Sequence, residues 1–274
     1  MTLVTRPVPS TGEPLPVIGL GTWRTFDVGA SGSELAALDD CLTAFADLGG
    51  RLIDSSPMYG GAERVVGELT STHGLRTRLF IATKVWTSGR QRGIDQMRES
   101  MRRLRVSVVD LMQVHNLVDV STHLETLRQW KADGIVRYIG VTHYAASAHA
   151  EVVRILRREA VDFVQINYSV VEREADRSVL PAAADCGVGV IANRPFATGS
   201  ALGRLRRRPL PPWAADIDCT SWAQLLLKFV VSHPAVTCVI PATSNIEHLR
   251  ADMQAGMGRM PDAAMREEIA RAAG

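Results

Sequence analysis

Residues 79–115 read LFIATKVWTSGRQRGIDQMRESMRRLRVSVVDLMQVH and contain one complete strand–helix–strand unit. Its two ends are apolar runs rich in β-branched residues, which predict strands, and its middle has the apolar spacing of an amphipathic helix. The alternation recurs along the chain, and the predicted strands are 17–20, 52–54, 79–84, 111–115, 138–141, 163–166, 188–192 and 237–240. The predicted helices between them are 34–48, 62–72, 91–104, 122–132, 148–159, 179–186, 221–231 and 245–255. Continuous apolar strands separated by helices indicate a parallel sheet that is buried on both faces.

Eight strand–helix units in a chain of 274 residues predict an α/β protein folded as a closed (β/α)8 TIM barrel. An open doubly wound sheet is the alternative, and it is disfavoured because no Gly-x-Gly-x-x-Gly sequence follows the first predicted strand. Outside the repeat, VPSTGEPLPVIGL (8–20) predicts an N-terminal β-hairpin that closes the N-terminal mouth of the barrel, and 263–273 predicts a C-terminal helix. We therefore expect residues 1–274 to form a single barrel domain.

The composition excludes several classes of function. The 31 basic and 29 acidic residues nearly balance, at a formal net charge of +2, which argues against nucleic acid or an anionic membrane as a partner. The chain has four cysteines far apart in sequence, which are Cys41, Cys186, Cys219 and Cys238. Because no Cys-x-x-Cys pair occurs, we expect buried free thiols and no metal site. No apolar run resembles a signal peptide or reaches the length of a membrane span, about 18 residues, so we expect a cytoplasmic protein.

Polar residues follow three consecutive predicted strands. Barrel enzymes carry their chemistry at the C-terminal ends of strands and in the loops that follow, so these residues are candidates. The strand 52–54 ends in Asp54, and Tyr59 follows in the loop SSPMYG. The next two predicted strands end in Lys84 and His115. Each residue alone has an ordinary structural explanation, such as a helix N-cap for the aspartate. The four together at successive strand ends indicate a catalytic site.

These four residue types suit proton donation to a carbonyl group. A tyrosine has a pKa near 10 and is a poor acid at neutral pH. We expect the ammonium of Lys84 to lower the pKa of Tyr59, and Asp54 to hold Lys84 as an ion pair. Tyr59 could then donate a proton to a carbonyl oxygen as hydride reaches the carbon. His115 could hydrogen-bond the same oxygen and orient the carbonyl.

The chain resembles the aldo-keto reductases over nearly its whole length. The matching segments occur in that family's order and at its spacing, and they are IGLGTW (18–23), LIDSSPMYG (52–60), IATKVW (81–86), DLMQVHN (110–116), VRYIGVTHY (136–144), FVQINYS (163–169) and IPATSNIEHLRADM (240–253). The resemblance implies a (β/α)8 barrel that binds NAD(P)H without a Rossmann motif. It also implies that the family's catalytic tetrad falls on Asp54, Tyr59, Lys84 and His115.

The resemblance further implies where the cofactor binds. The implied contacts to the nicotinamide and its carboxamide are Gly21, Thr22, Trp23, Asp54, Thr142, His143 and Gln165. One departure is His143, which stands where the family usually has an Asn. Another is Asn193, which stands where the family often has a Tyr that stacks on the nicotinamide. Arg194 beside it is either a contact to the cofactor's pyrophosphate or a solvated loop arginine.

The segment after the last predicted strand departs from the family at the 2′-phosphate of NADPH. Where well-studied members carry Lys, Ser and Arg, this chain has Ala242, Thr243 and His248. The neighbouring polar residues are Ser244, Asn245 and Arg250. The start of the helix at 245 can still bind phosphate through its backbone N–H groups. We therefore expect NADPH as the cofactor, with NADH as an alternative.

The expected substrate is a small-molecule carbonyl compound. Its predicted pocket walls are Trp23, Met58, Trp86 and Asn116, and Trp213 could close over it from the Gly-, Pro- and Arg-rich segment 194–220, which is long for a loop. The sequence predicts NADPH-dependent reduction of aldehydes or ketones to alcohols by a monomer or small homo-oligomer. The alternatives are a cofactor-binding regulatory subunit, as in the potassium-channel β subunits of the same superfamily, and an unrelated barrel isomerase or lyase.

Overall fold

The structure, a computed structural model, describes residues 2–274, and its centre is a barrel of eight parallel strands. A two-stranded antiparallel hairpin precedes the barrel, with β1 at Thr5–Pro7 and β2 at Pro14–Pro16. The barrel strands follow in chain order and are β3 (Leu20–Gly21), β4 (Leu52–Asp54), β5 (Phe80–Val85), β6 (Val109–His115), β7 (Val136–His143), β8 (Phe163–Asn167), β9 (Gly189–Asn193) and β10 (Val236–Val239). Each pairs in parallel with the next, which confirms the predicted fold class.

The barrel closes between its first and last strands. The Gly19 N–H donates to the Val239 carbonyl at 2.8 Å, and the Val239 N–H donates to the Val17 carbonyl at 2.9 Å. Within the predicted strand 17–20, residues 17 and 19 therefore form hydrogen bonds with β10, whereas Leu20 pairs with β4. Of these four residues, only Leu20 belongs to the observed strand β3. The approach is close, because a Cβ atom at Gly21 would lie 2.9 Å from the Ile240 carbonyl oxygen.

The predicted helices surround the barrel, with boundaries close to those expected. They are α1 (Ser33–Asp47), α2 (Ala62–Thr72), α3 (Arg90–Leu104), α4 (Val120–Ala132), α5 (His149–Arg158), α6 (Val179–Asp185), α8 (Trp222–Val231) and α9 (Ile246–Ala255), while α7 (Ser200–Leu205) was not predicted. The segment 194–220 is thus partly helical and not one long loop. It contains α7 and the 3-10 helix Pro212–Ile217. These helices are stabilised by packing, because Ala201, Leu205 and Ile217 are buried. The predicted C-terminal helix, α10 (Ala263–Ala273), packs against α8, where Arg266 Nε donates to the Phe229 carbonyl at 3.1 Å.

The N-terminal half of the barrel interior is filled with side chains. The buried cluster inside the barrel consists of Val8, Leu15, Leu52, Phe80, Ala82, Leu111, Tyr138, Phe163, Ile191, Cys238 and Ile240. The rings of Phe80 and Tyr138 stack there at 5.7 Å between centroids. Val8 and Leu15 come from the hairpin, so the hairpin closes this mouth of the barrel as predicted.

A larger apolar core lies between the barrel and its helices. Cys41 belongs to it, and Cys219 and Cys238 are also buried, as expected. Cys186 is exposed, which corrects the expectation of four buried thiols, because it follows the last turn of α6 as its C-cap. Within residues 2–274, no helix combines the length and the apolar character that a membrane crossing requires.

Candidate active site

The alternation of side chains along the strands places polar groups at the C-terminal mouth of the barrel. In β5, Phe80 and Ala82 point into the barrel, and the two-residue period of a strand turns Lys84 to the same side. In β6, the same period carries His115 toward the interior, above Leu111. The polar ends of neighbouring strands therefore meet at one rim, as predicted.

Lys84 and Asp54 form a buried ion pair at this rim. The Lys84 Nζ donates to Asp54 Oδ2 at 2.6 Å and to the Ser55 carbonyl at 2.7 Å. The exposed fractions of the two side chains are 0% and 3%. Burial alone would lower the pKa of Lys84, but Asp54 and Tyr59 outweigh it, and the net effect raises that pKa. Lys84 is therefore an ammonium at neutral pH.

Two amide side chains complete the surroundings of Asp54. Its Oδ1 accepts from Gln165 Nε2 at 2.8 Å and from Gln113 Nε2 at 3.3 Å. The Thr142 hydroxyl in turn donates to Gln165 Oε1 at 3.2 Å. Thr142 and Gln165 were candidates from the sequence, whereas Gln113 was missed. Its only signal in the sequence is an amide inside an apolar strand, one period before His115.

Tyr59 lies over the ion pair in the turn between β4 and α2. The Lys84 Nζ is 4.9 Å from the centroid of its ring, and the His115 ring packs edge-on at 6.0 Å between centroids. Burial raises the pKa of Tyr59 above its ordinary value, although the ammonium of Lys84 acts in the opposite direction. The predicted lowering of this pKa is therefore wrong in its net direction, because burial outweighs the nearby charge.

His115 is a neutral imidazole held by a serine that was not predicted. Its Nδ1 lies 3.2 Å from the Ser56 Oγ, and both side chains are buried. The same Oγ accepts a long hydrogen bond from the Met58 N–H at 3.4 Å. Burial, together with the charges of Lys84 and His143, lowers the pKa of His115 to about 3. The sequence did not identify Ser56 as a site residue, because a serine in a loop is common and has no distinctive pattern.

The first barrel strand is fixed directly beneath this cluster. The Thr22 hydroxyl donates to the Asp54 carbonyl at 3.0 Å and to the Ser55 Oγ at 3.1 Å. Gly21 pairs with Asp54 in the sheet register, and both Gly21 and Thr22 are buried. Trp23 follows with 42% of its surface exposed, and the Arg24 guanidinium stacks on its ring at 4.3 Å. The three predicted residues of this segment therefore lie beside the tetrad.

His143, Asn193 and Arg194 lie further around the same rim, at the ends of β7 and β9. The Nδ1 of His143 accepts from the Ala145 N–H at 3.1 Å, and burial lowers the pKa of its imidazole. Arg194 donates to the Tyr144 carbonyl at 3.3 Å and has an unusual positive φ of 54°. The Asn193 Oδ1 and the Arg194 Nε are buried and have no hydrogen-bond partner among residues 2–274.

The start of α9 is capped from within the chain. The Asn245 Oδ1 accepts from the N–H groups of Glu247 at 2.9 Å and His248 at 3.1 Å, and the Asn245 N–H donates to the Thr243 Oγ1 at 3.1 Å. We expected the N–H groups at the start of this helix to be free to bind a phosphate. Two of them, those of Glu247 and His248, already donate to Asn245. The exposed predicted residues around this helix start are Ala242, Ser244, Asn245, His248 and Arg250.

Large apolar side chains near the tetrad are exposed to solvent. Met58 is 41% exposed and Trp86 is 42% exposed, which is unusual for such large apolar residues in a folded chain. Asn116 adopts a positive φ of 52°, and its buried Oδ1 has no partner in the described part of the chain. Trp213 instead lies half-buried in the 3-10 helix Pro212–Ile217 and packs against the apolar core, so its place over the substrate stays a prediction.

Comparison with known proteins agrees with this geometry. A sequence profile of the Aldo/keto reductase family matches residues 17–268. Methylglyoxal reductase YeaE from Escherichia coli K12 is 30% identical over 246 residues, which cover 86% of this chain and 84% of that protein. An aldo-keto reductase from Klebsiella pneumoniae, solved in complex with NADPH, is 26% identical and superposes with a TM-score of 0.80 over 99% of this chain and 95% of that one. The holo form of an aldo-keto reductase from Bacillus halodurans, at 22% identity, a TM-score of 0.79 and coverage of 99% and 97%, shares the fold.

The chain belongs to the aldo/keto reductase family. The family resemblance seen in the motifs is confirmed, and so is the predicted class of enzyme, an NAD(P)H-dependent oxidoreductase that acts on carbonyl groups. The unrelated barrel isomerase or lyase, which the sequence left open, is thereby excluded.

Proposed function

We propose that this protein reduces aldehydes or ketones to alcohols with NADPH, and that Tyr59 is its general acid. The observation that carries the proposal is the buried ion pair of Lys84 and Asp54 beside the Tyr59 ring. Removing two charges from water is costly, and such pairs are a weak source of stability. A pair of this kind at the open mouth of a barrel is better explained by its electrostatic effect on the phenol.

The polar residues around the rim suit a nicotinamide cofactor. The Asn193 Oδ1 and the Arg194 Nε are buried without partners in the described chain, as expected for groups that bind a polar ligand. Thr142 and Gln165 would hold the carboxamide, and Arg194 would contact the pyrophosphate. The NADPH in the Klebsiella structure supports the choice of cofactor. Bound there, the cofactor supplies a hydride to the substrate's carbonyl carbon.

The proton comes from Tyr59. As the carbonyl carbon gains hydride, the C=O π electrons move to oxygen, and the phenol proton passes to that oxygen to give the alcohol. The raised pKa of Tyr59 keeps this proton in place at neutral pH. The ammonium of Lys84 stabilises the phenolate that remains, and Asp54 holds the ammonium in position. A proton from solvent then restores the phenol.

His115 orients the carbonyl. Because the Ser56 Oγ accepts from the Met58 N–H, its own hydrogen is free to point at the Nδ1 of His115. That arrangement leaves the hydrogen of the imidazole on Nε2, which can donate to the carbonyl oxygen without adding a positive charge. The low pKa of about 3 keeps His115 neutral throughout the physiological range.

The test is spectroscopic. Purified protein would be mixed with NADPH and either 4-nitrobenzaldehyde or methylglyoxal, the second chosen because of the methylglyoxal reductase relatives, while the absorbance of the reduced cofactor is followed. We expect turnover with at least one of a broad panel of carbonyl compounds. Cofactor binding without any turnover would contradict the proposal and favour a regulatory subunit.

Tyr59→Phe tests the identity of the acid. The variant keeps the ring and removes the proton, so we expect kcat to fall by about a hundredfold or more, which is the usual contribution of a general acid. The dissociation constant for NADPH, from quenching of tryptophan fluorescence, should stay within about twofold of the parent. Tyr144→Phe is the matched control, because Tyr144 is 52% exposed and its hydroxyl has no assigned role. Comparable kcat values for Tyr59→Phe and the parent would overturn the assignment.

A further inference from the structure

A second cluster of buried polar groups lies outside the barrel wall, behind Lys84. Glu63, Thr83 and Ser100 come from α2, β5 and α3, and none of the three has any exposed surface. The Thr83 hydroxyl donates to Glu63 Oε1 at 2.6 Å. The Ser100 hydroxyl lies beside the same carboxyl. The Glu63 Oε2 is buried and has no well-aligned hydrogen bond to any described residue.

This cluster joins the two elements that carry the phenol and the ammonium. The turn of Tyr59 runs directly into α2, because the Ala62 N–H donates to the Tyr59 carbonyl at 3.1 Å, and Glu63 is the next residue. On the other side, Thr83 immediately precedes Lys84 in β5. The hydrogen bond between Glu63 and Thr83 is therefore a short tie between the Tyr59 turn and the Lys84 strand.

A carboxyl is a costly group for this place. Burial raises the pKa of Glu63 above its usual range, and the hydrogen bond from Thr83 together with the nearby Ser100 hydroxyl only partly opposes the rise. The charges of Arg103 and Lys84 act in the same direction as those bonds, yet neither forms an ion pair with Glu63 within the described residues. An apolar side chain would fill the same space without this penalty, so packing alone does not explain the carboxyl.

We propose that Glu63 is a positioning residue for the reaction, and that its hydrogen bond to Thr83 sets the separation between the Tyr59 phenol and the Lys84 ammonium. The inference rests on the proposed role of Tyr59 as the acid. The bond needs an acceptor on α2 and a donor on β5, and it needs no negative charge. A displacement of about 1 Å at a reacting group can lower a rate about a hundredfold.

The experiment compares variants that keep the tie with variants that break it. Glu63→Gln retains an acceptor oxygen and Thr83→Ser retains the donor, so we expect both to keep kcat within about threefold of the parent. Glu63→Leu and Thr83→Val remove one partner each, and we expect kcat to fall by about tenfold to a hundredfold. The NADPH dissociation constant should change less than twofold, because neither residue faces the cofactor rim. The double variant should be no slower than the slower single variant, because one interaction is lost in all three.

A second readout separates positioning from simple loss of stability. If the tie lengthens, Lys84 stabilises the phenolate less, and the alkaline limb of kcat against pH should move to higher pH in Thr83→Val. Thr70→Val is the matched control, because the buried Thr70 hydroxyl donates to the Val66 carbonyl within α2 and does not join another element. It should lower the melting temperature without moving the limb.

The outcomes distinguish this inference from the proposal it rests on. If Thr83→Val keeps parental kcat and pH profile while Tyr59→Phe is inactive, the positioning role is wrong and the acid assignment stands. If Tyr59→Phe is active, the acid assignment itself is wrong. If Glu63→Leu does not fold, the pair Thr83→Val and Thr83→Ser decides the matter, because those variants leave the carboxyl in place. Equal rates for that pair would contradict the tie.

Discussion

Lys84 is a charge without access to water, and its place in the fold depends on its oxygen partners. Removing it would leave the carboxylate of Asp54 buried with only amide donors, and breaking such a pair costs about 3–5 kcal/mol. We expect Lys84→Met to lower the free energy of unfolding in urea by about that amount and to abolish turnover. Arg90→Met is the control, because the side chains of Arg90 and Glu125 are 52% and 66% exposed in their ion pair, and its loss should change the free energy of unfolding too little to measure. Equal losses in the two variants would show that the burial of Lys84 has no energetic consequence.

His115 makes the stability of the fold depend on pH. Its pKa is about 3 when folded, against an ordinary 6.5, so between these values the unfolded chain binds a proton that the folded chain does not. Stability therefore rises with pH across this window and is lost as the pH falls from about 6.5 toward 3. We expect the free energy of unfolding of His115→Gln to fall less steeply than that of the parent between about pH 6.5 and pH 4. Tyr59→Phe should keep the parental slope, since the phenol does not titrate there, and parallel slopes for all three proteins would contradict the assignment.

A single functional residue can be recognised from the sequence when its type is unusual among its neighbours. Lys84 and His115 are visible because each interrupts or ends an apolar strand. Ser56 and Glu63 are not, because a loop serine and an acidic residue in the first turn of a helix are both ordinary. Only the packing of separate elements brings Ser56 to His115. The direction of the pKa shift of Tyr59 could not be predicted either, because it depends on the burial of the phenol, and burial depends on the whole fold.

Glu13, in the N-terminal hairpin, accepts several hydrogen bonds from the closed end of the barrel. Glu13 accepts from Arg51 at 2.9 Å, from the Tyr138 hydroxyl at 2.7 Å and, at close range, from Arg137. We expect Glu13→Ala to lower the free energy of unfolding by about 1–2 kcal/mol, because these donors lose their acceptor while the arginines remain partly hydrated. Glu99→Ala, which removes exposed ion pairs on α3, should have no measurable effect in the same urea titration.

Glu13→Ala should lower stability without affecting catalysis. The hairpin and the tetrad are at opposite ends of the barrel, so kcat of Glu13→Ala at a temperature well below melting should equal that of the parent. A fall in kcat with unchanged stability would contradict the structural separation of the two ends.

Elements were predictable where the period of the sequence is strong. The strands β4 to β10 and the helices between them have clear apolar patterns, and their boundaries shift little. The start of the barrel was less clear, because residues 17–21 share their hydrogen bonds between two neighbours that lie far apart in the sequence. The helix α7 was missed because it is short and sits among Gly, Arg and Pro, and it is stabilised by packing rather than by its own propensity.

Across the whole molecule, stability and chemistry occupy different ends of the barrel. The closed end holds an aromatic and aliphatic cluster under the hairpin, whereas the open end holds the buried ion pair, unpaired polar atoms and exposed tryptophans. Barrels of this type allow such a division, because strand interiors support the fold while the loops after the strands vary. The fold could therefore be predicted from periodicity alone, while the details of cofactor recognition depend on loop residues without a pattern.

Preference between NADPH and NADH is the property of the whole protein that these loop residues determine. A ligand that binds only the folded state raises the free energy of unfolding, by about 2.7 kcal/mol at a hundredfold excess over its dissociation constant, so thermal shifts report both affinities on one scale. At the start of α9, Asn245 uses two N–H groups and Glu247 adds a negative charge, and both would weaken the 2′-phosphate binding that is proposed there. We expect the parent to be stabilised by both cofactors, with NADPH favoured by less than about a hundredfold.

Glu247→Gln isolates the effect of that charge. Two like charges about 4 Å apart repel by about 1 kcal/mol in water, so the variant should bind NADPH about twofold to tenfold more tightly while its affinity for NADH stays within about twofold. The gain should shrink as salt is added, because the site is exposed. Glu151→Gln is the control, since Glu151 occupies the first turn of α5, on a different part of the barrel. If Glu247→Gln strengthens both cofactors equally, the carboxylate acts on the shared part of the ligand, and the 2′-phosphate does not bind at the start of α9.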